Sequence, residues 1–223
     1  MRGSQKYKNY KLKWSPEFAY AVGLITSDGS LSKDGRHIIL VSKDKGLIDV
    51  FKKCLNLKNK IGKRARGKEK VKKYFHVQFS HSRLYKDLLE IGLKPNKSLT
   101  LGPLSISKYF FDFLRGFFDG DGSCYSFWDK RWKSSFMFYT VFCSASKKYI
   151  KWLRKEINKR LDIRGALDVL GGKRKNCVYQ LKYAKKESKI LIDKMYYKKN
   201  IPSLKRKKDK IRKILKIENN NRK

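Results

Sequence analysis

Hydrophobic residues follow two different periods along the chain, and these periods alternate in a fixed order. In PEFAYAVGLITSDGS (16–30) and KGLIDVFKKCL (45–55) apolar residues recur every three to four positions, which predicts helices. Pro16 suits the first turn of the first helix, with Ser15 before it as the N-cap. The segments SLSKDGRHIILVS and GKRARGKEKVKKYFHVQFS instead alternate around turn residues, which predicts hairpins. With RLYKDLLEIGL as a closing helix, the predicted order is helix, hairpin, helix, hairpin, helix.

The same order of elements occurs a second time in the C-terminal part of the chain. Its helices are predicted in YFFDFLRGFFDGDGS, KKYIKWLRKEINKRL and ESKILIDKMYY, and its hairpins in SCYSFWDKRWKSSFMFYTVFCS and RGALDVLGGKRKNCVYQLKYA. Because both copies stay in register with an acid–glycine stretch, we infer a tandem duplication. The segment 95–105 joins an N-terminal half, residues 1–104, to a C-terminal half, residues 105–223. The basic tail KRKKDKIRKILKIENNNRK is predicted to start as a helix and to fray.

Short residues mark one face of each helix that ends in an acid–glycine stretch. They recur at a spacing of four, which places each set on one helix face: Ala19, Gly23 and Ser27 in the first copy, and Asp112, Gly116 and Gly120 in the second. A glycine inside a helix costs about 1 kcal/mol relative to alanine, so a benefit must offset it. Close approach of the two helix backbones supplies that benefit. We therefore predict that the two helices pack against each other along this face.

Asp28 and Asp121 then lie at the C-terminal ends of the paired helices. Gly29 and Gly122 follow them, at positions where a left-handed cap residue is expected. A carboxylate at a helix C-terminus opposes the helix dipole, and two such carboxylates brought together also repel each other. Divalent cations relieve both effects, and ligation by oxygen alone suits Mg²⁺. One acid–glycine pair is typical of a turn, but two at the ends of paired helices indicate a metal site.

The net charge indicates the kind of partner. The 223 residues include 57 Lys and Arg against 19 Asp and Glu, a formal net charge of +38, while 40% hydrophobic and 13% aromatic content exclude a disordered basic tail. A folded protein with this charge is expected to bind a polyanion, and nucleic acid is the first candidate. No apolar span of about 18 residues and no signal peptide occurs, and the four cysteines form no C-x-x-C pair. We therefore expect an intracellular protein with reduced cysteines and no membrane partner.

Two short segments resemble a known family. AVGLITSDG (21–29) and LRGFFDGDG (114–122) resemble the two LAGLIDADG motifs of a single-chain homing endonuclease, and the repeated layout extends the resemblance over roughly residues 15 to 215. The resemblance implies an α+β fold of two pseudo-symmetric αββαββα halves, each with a curved antiparallel sheet, which together form a DNA-binding saddle. It also implies an intron-encoded, monomeric, site-specific endonuclease that hydrolyses one phosphodiester in each strand of double-stranded DNA.

The resemblance also assigns roles to individual residues. Asp28 and Asp121 match the metal-binding catalytic carboxylates of the two motifs. The backbone oxygens of Ser27 and Gly120 match further metal ligands. The residues that match the contact between the motif helices are Ala19, Gly23 and Gly116. The implied cofactors are two or three Mg²⁺ ions, with Mn²⁺ or Ca²⁺ as substitutes in binding.

Three further positions are assigned by the same resemblance. Lys97 and Lys207 match lysines that this family places beside the active centre, with Lys205 and Lys208 as alternatives to Lys207. Asp119 also matches a motif acid, but Thr26 occupies its counterpart in the first copy. Because the chemistry then does not need this acid on both sides, we interpret Asp119 as structural.

By the same resemblance, alternate residues of the strands face the major groove and contact base edges. In the N-terminal half the candidates are Ser30, Ser32, Arg36, Ile38, Arg64, Arg66, Lys73, Phe75 and Gln78. In the C-terminal half they are Tyr125, Phe127, Lys130, Arg131, Tyr139, Lys173, Arg174, Lys175 and Gln180. A shift of one residue in strand phase would exchange these residues for their neighbours. His76 and His81 are expected at the groove or the surface and not on a metal.

Two other functions fit the same resemblance. One is an intron maturase, an RNA-binding relative that assists splicing, for which intron RNA is the partner. The other is a non-catalytic DNA-binding regulator on a degenerate copy of the fold. A degenerate copy is expected to lose at least one catalytic aspartate, and both are present here. The sequence therefore favours the endonuclease, while its DNA target stays open.

Overall fold

Two copies of one helix–hairpin–helix–hairpin–helix unit make up most of the fold. The computed structural model describes residues 13–65, 67, 70–106, 108–132, 135–171 and 177–221. The first copy consists of α1 (Pro16–Asp28), β1 (Gly29–Leu31), β2 (His37–Ser42), α2 (Lys45–Cys54), β3 (Gly62–Arg64), β4 (Tyr74–Ser80) and α3 (Ser82–Ile91). Ser15 caps α1 as predicted, because its hydroxyl accepts a hydrogen bond from the Phe18 amide at 3.1 Å.

The second copy repeats this order and is followed by one further helix. It consists of α4 (Phe110–Asp121), β5 (Gly122–Trp128), β6 (Phe136–Ser144), α5 (Lys147–Leu161), β7 (Ala166–Leu170), β8 (Val178–Tyr183) and α6 (Lys185–Met195), and the additional helix is α7 (Lys205–Asn220). The predicted α+β class with two αββαββα halves is confirmed. Within the described ranges no helix is long and apolar enough to cross a membrane.

Each half contains one antiparallel four-stranded sheet with a covered face and an open face. The strand orders are β1-β2-β4-β3 and β5-β6-β8-β7. Residues paired across neighbouring strands share a face, so the register identifies both sides of each sheet. The buried residues Leu31, Ile38 and Phe79 pair across the first sheet and face the helices. Ser30, Ile39 and Gln78 pair one residue further along and face outwards.

The helices α1 and α4 pack so closely that glycine is required at their contact. A Cβ atom on Gly23 would lie 2.1 Å from the Phe113 carbonyl oxygen, and one on Gly116 would lie 2.1 Å from the Tyr20 carbonyl oxygen. Further along, a Cβ on Gly120 would overlap the Ser27 side chain, whose Oγ would be 1.9 Å away. The contact residues follow the same order along both helices, so the two helices lie side by side and run in the same direction. Their C-terminal ends therefore meet.

The glycines after the two helices do not adopt the expected left-handed cap conformation. Gly29 has φ −86° and Gly122 has φ −93°, both in the extended region. Each helix passes directly into the first strand of its sheet, which requires the extended conformation. Glycine is required at both positions because there is no room for a side chain, and not because of the backbone conformation. A Cβ at Gly29 would lie 2.5 Å from the Ile25 Cα, and one at Gly122 would lie 2.4 Å from the Phe118 ring.

A buried arginine holds the C-terminal segment against α4. Arg115 is 0% exposed. Its guanidinium donates to the Pro202 carbonyl at 2.7 Å, to the Met195 carbonyl at 2.7 Å and to the Asp112 carboxylate at 2.6 Å. The helix α7 that follows is not frayed as predicted but continues to Asn220, because its inward face is buried.

Candidate active centre and nucleic-acid interface

Asp28 and Asp121 end the two paired helices, so the packing of α1 and α4 brings one carboxylate from each half to the same place. A Cβ on Gly120 would lie 3.0 Å from Asp28 Oδ2, which shows that the Asp28 carboxylate reaches the end of α4. Asp121 is exposed. Even so, desolvation by the surrounding protein raises the pKa of Asp121, and the positive charges of Lys97 and Lys207 only partly oppose this.

Lys97 approaches this pair of carboxylates from the segment between the halves. Its side chain is 6% exposed, and its ammonium donates to the Gly29 carbonyl. Burial lowers the pKa of Lys97 to about 8, against the opposing effect of Asp121 and then Asp28. The buried ammonium is therefore held close enough to both carboxylates to feel their charge.

Lys207 occupies the corresponding place in the second half. Its ammonium donates to the Phe118 carbonyl at 2.6 Å, the Gly120 carbonyl at 3.0 Å and the Gly122 carbonyl at 2.6 Å. All three of its N–H groups are thus used at the C-terminal end of α4. Burial lowers the pKa of Lys207 to about 8, with Asp119 the main opposing charge. The alternatives are placed elsewhere, because Lys208 donates to the Lys199 carbonyl at 2.7 Å and Lys205 is exposed.

Asp119 points away from the carboxylate pair and into the protein. It accepts hydrogen bonds from the Tyr20 hydroxyl at 2.7 Å and from the Leu204 backbone amide at 2.7 Å. Burial raises the pKa of Asp119 to about 6, although both hydrogen bonds oppose the shift. Asp119 therefore joins α1 of the first half to the start of α7, and so helps to place Lys207.

The open faces of both sheets flank the carboxylate pair and contain several of the predicted contact residues. In the first sheet Ser30, Arg64 and Gln78 have outward-facing positions. In the second sheet Tyr125, Phe127, Tyr139 and Gln180 do so. Arg36, Lys130 and Arg131 lie in the hairpin turns, and Ser32 and Lys73 lie just outside the strand ends. A cavity of about 620 Å³ beside Asp28 is lined by Lys43, Arg64, Tyr74, Lys94 and Lys97, and connects Asp28 to the first sheet.

Comparison with known proteins identifies the fold. No protein-family model matches the chain, and no curated protein sequence matches it. The crystal structure of the I-LtrWI LAGLIDADG homing endonuclease bound to target DNA aligns with 90% of this chain and 89% of its own, at 16% identity and a TM-score of 0.58. Meganuclease I-SmaMI bound to uncleavable DNA aligns with 95% of this chain and 92% of its own, at 15% identity and a TM-score of 0.61. The N-terminal LAGLIDADG domain of DUF199/WhiA aligns with 90% of this chain and 88% of its own, at 16% identity and a TM-score of 0.52.

The chain has the LAGLIDADG homing endonuclease fold. Sequence identities of this size establish the fold and leave the activity to be argued from the residues.

In this LAGLIDADG fold the candidate donors for a metal, Asp28 and Asp121, come one from each half. Among the residues that the structure describes, no group of three or more His, Cys, Asp or Glu side chains is placed to hold a metal. The carboxylates of Asp28 and Asp121 are hard oxygen donors that suit Mg²⁺, and a cation between them would offset the desolvation that raises the pKa of Asp121. The Gly120 carbonyl already accepts from Lys207 and keeps one lone pair for a metal. The Ser27 hydroxyl donates within its own helix, to the Leu24 carbonyl at 3.1 Å, and ligation by the Ser27 backbone oxygen stays a prediction.

Two predicted groove residues of the LAGLIDADG sheet are wrong. Ile38 is 0% exposed and faces the helices, because it pairs with Leu31 and Phe79 on the covered side. Phe75 lies on the same side and packs against the core. Both errors are shifts of one residue, since the side chains of a strand alternate between faces. Arg66, Lys173, Arg174 and Lys175 lie outside the described residues.

Three apolar residues with outward-facing positions were missed as contact candidates. They are Ile39, Val41 and Met137, while His76, expected at the groove or the surface, is on this face as well. The KDGR turn contains the signal that fixes the phase. Its closing hydrogen bond runs from the Ser32 amide to the His37 carbonyl, which pairs Ser30 with Ile39 and excludes Ile38 from the open face.

Proposed function

We propose that this protein is a metal-dependent endonuclease that cuts both strands of a specific double-stranded DNA site as a monomer. The observation that supports it is the meeting of Asp28 and Asp121 at the ends of two helices that touch through glycine backbones. Two acids in a chain of net charge +38 are placed together there, between two open sheet faces. An oxygen-donor metal site beneath a DNA-binding groove is the chemistry that this placement serves.

The aspartates and the lysines of the candidate site have different proposed roles. Asp28 and Asp121 would hold Mg²⁺, which when bound lowers the pKa of a water molecule and neutralises charge on the phosphate. Lys97, held beside both carboxylates, adds a positive charge near the scissile phosphates. Lys207 fixes the end of α4 through its three carbonyl contacts, and so keeps Asp121 in position. Each half thus contributes one carboxylate and one lysine.

Recognition of DNA is assigned to the open faces of the sheets and to the surrounding basic side chains. Lys and Arg side chains on phosphates would supply affinity, and groove-facing side chains would supply sequence preference. Gln78 and Gln180 lie on the open faces of the first and the second sheet and are suited to hydrogen bonding with base edges.

A non-catalytic DNA-binding protein is the second candidate, because the same fold occurs in DUF199/WhiA, whose name assigns it no nuclease activity. The presence of both carboxylates favours the enzyme. Cleavage itself decides between the two.

The test is cleavage of sites recovered from a randomised duplex library in the presence of Mg²⁺. Asp28→Asn and Asp121→Asn should each reduce double-strand cleavage at least about 100-fold, since even outer-shell changes at metal sites cost 10- to 100-fold. DNA binding should stay within about threefold, because these carboxylates hold metal and not DNA. Asp49→Asn, at an exposed carboxylate on α2, is the control and should cleave normally.

Two results would contradict the proposal. Full cleavage by both active-centre variants would exclude the assigned carboxylates, and absence of cleavage by the wild-type protein would favour the non-catalytic candidate. Loss of binding in parallel with cleavage would indicate a structural role for the helix ends.

A further inference from the structure

The first hairpin of the C-terminal half extends further than its counterpart in the N-terminal half. β1 and β2 have 3 and 6 residues, whereas β5 and β6 have 7 and 9. Near the active centre the halves are alike, since Ser30 pairs with Ile39 in one and Ser123 with Val141 in the other. Beyond that point the second hairpin continues with additional residue pairs as far as Trp128 and Phe136. At about 3.4 Å per residue, four further residues extend the strand by about 14 Å.

The open face of this extension is apolar. Tyr125 pairs with Tyr139 and Phe127 pairs with Met137, and we call these four residues the aromatic patch. The ring centroids of Tyr125 and Tyr139 are 5.4 Å apart, and those of Phe127 and Tyr139 are 6.0 Å apart with planes within 15°. Tyr125 is 38% exposed and Phe127 is 45% exposed. A patch of this kind on the open face of a binding sheet marks an interaction site.

Charged and amide side chains adjoin the aromatic patch on its β8 side. Lys182 lies over the Tyr139 ring at 5.6 Å and forms an ion pair with Asp168 at 3.0 Å. Gln180 pairs with Cys143, on the β8 side of the sheet. Among the four side chains of the patch, only the two tyrosines have a hydroxyl group that can form a hydrogen bond. The extension is therefore poorly suited to hydrogen-bond recognition of base edges and well suited to apolar contact.

We propose that the aromatic patch selects thymines by their C5-methyl groups in the major groove, an inference that rests on the proposed function. The methyl group of thymine is the apolar feature that base pairs present in the major groove, and aromatic and aliphatic side chains contact it. The patch is continuous with the open face that carries Ser123 and Gln180, and the adjoining hairpin turn contains Lys130 and Arg131. The base pairs beneath the β5–β6 extension are accordingly expected to place thymine methyl groups against the patch.

The test uses a duplex site selected from a randomised library, with dissociation constants measured in Ca²⁺ so that binding is separated from cleavage. Positions beneath the patch are those whose base preference relaxes in Phe127→Ser, and these positions should prefer thymine. Replacing those thymines by deoxyuridine removes only the methyl groups. The wild-type protein should then bind about fourfold more weakly for each methyl group lost, since burial of one methylene-sized group changes an equilibrium constant by about that factor. Phe127→Ser should show no such loss.

Gln78→Ala supplies the matched control in the other half. Its relaxed positions mark the half-site beneath the first sheet, and deoxyuridine there should affect the wild-type protein and Phe127→Ser equally. Phe127 lies on the open face, so the variant should melt at the wild-type temperature.

Each outcome has a distinct meaning. Absence of a thymine preference at the positions relaxed by Phe127→Ser, or an equal deoxyuridine effect in both proteins, would overturn the inference. A protein that shows the expected methyl dependence and cuts no DNA would support the inference and contradict the nuclease. A protein that cuts its site without methyl dependence would support the nuclease and contradict the inference. A protein that selects no DNA sequence would overturn both the nuclease and the inference.

Discussion

Two acids two residues apart in α4, Asp119 and Asp121, have acquired different roles because the helix turns between them. Asp121 faces the groove, whereas Asp119 is buried between α1 and the start of α7. The Tyr20 hydroxyl and the Leu204 amide both donate to the same oxygen of Asp119. An asparagine oxygen at this place can accept both hydrogen bonds, so the carboxylate charge itself is not required there.

Asp119→Asn should reduce cleavage far less than Asp121→Asn and should change how stability depends on pH. Burial raises the pKa of Asp119 from 3.8 to about 6 in the folded protein. Between these values the folded state binds a proton that the unfolded state lacks, so the free energy of unfolding falls as pH rises through about 6. The effect is on the order of 3 kcal/mol. Denaturant unfolding of the metal-free protein between pH 4 and pH 7 should show a fall that is smaller in Asp119→Asn than in the wild type by about this amount.

Asp49→Asn should keep the wild-type pH dependence and is the control. A cleavage loss equal to that of Asp121→Asn, in a variant that remains folded, would show that Asp119 takes part in the chemistry.

At the scale of single residues, the sequence correctly predicted the positions of the residues within the two acid–glycine stretches, and it predicted few positions outside them. The two acid–glycine stretches were sufficient to place Asp28 and Asp121 at the ends of paired helices. The reason for Gly29 and Gly122 was wrong, because a following glycine is typical of a left-handed cap and the sequence does not show that a strand begins at once. Ile38 was wrong because the apolar run of β2 has no polar alternation to fix its phase. Phe75 was wrong for a different reason, because β4 does alternate and Phe75 has the phase of the buried residues Val77 and Phe79.

At the scale of elements, the contact between α1 and α4 determines the geometry of the candidate site. The two glycines of this contact face backbone atoms, which cannot move aside as a flexible side chain would. The helices therefore have a fixed separation. Both aspartates are attached to these same helices, so their relative position depends on that separation.

Gly23→Ala and Gly116→Ala should each lower the free energy of unfolding by at least about 3 kcal/mol, the upper end of the usual cost of overpacking. In each variant the new Cβ would lie 2.1 Å from a carbonyl oxygen of the other helix. Cleavage should fall as well, because a displacement of about 1 Å misplaces catalytic groups. Thermal unfolding and cleavage assays on the same preparations provide the measurement.

Gly102→Ala is the matched control, because a Cβ there would meet no atom within 4 Å. If these glycines were ordinary helix residues, alanine would instead stabilise the protein by about 1 kcal/mol. A raised melting temperature with normal cleavage would therefore contradict the helix contact.

The sequence predicted the elements well because their periods are distinct and their turns contain Gly, Asn or Asp. It did not predict how α7 docks. The long basic run of this helix resembles a solvated tail, while its docking depends on distant partners, namely the carbonyls that accept from Lys207 and the ion pair of Glu218 with Lys185 at 2.7 Å. Such long-range contacts leave no local pattern.

For the whole molecule, the charge of +38 determines how binding depends on salt. Each neutralised duplex phosphate contributes about −0.9 to the slope of log K against log salt. A saddle that contacts on the order of ten phosphates should therefore lose several decades of affinity over a fourfold rise in salt. Binding isotherms at several salt concentrations give the slope directly. A slope shallower than about −3 would indicate a small contact surface and would contradict the saddle.

Arg64 and Lys148 provide a matched pair for this measurement. Arg64 lies on the open face beside the cavity, whereas Lys148 is exposed on α5, which packs behind the second sheet. Arg64→Gln should reduce the steepness of the slope by about 1, and Lys148→Gln should leave it unchanged.

The unequal lengths of the two first hairpins give the molecule a direction along any duplex that it binds. The carboxylates lie at the junction of the halves, but the β5–β6 hairpin reaches further from that junction than the β1–β2 hairpin. On a bound duplex, the span of DNA shielded from a chemical probe would therefore be longer on one side of the two carboxylates than on the other. A symmetric dimer cannot distinguish the two strands of a duplex. An asymmetric protein of this kind can distinguish them, so it binds its site in only one orientation.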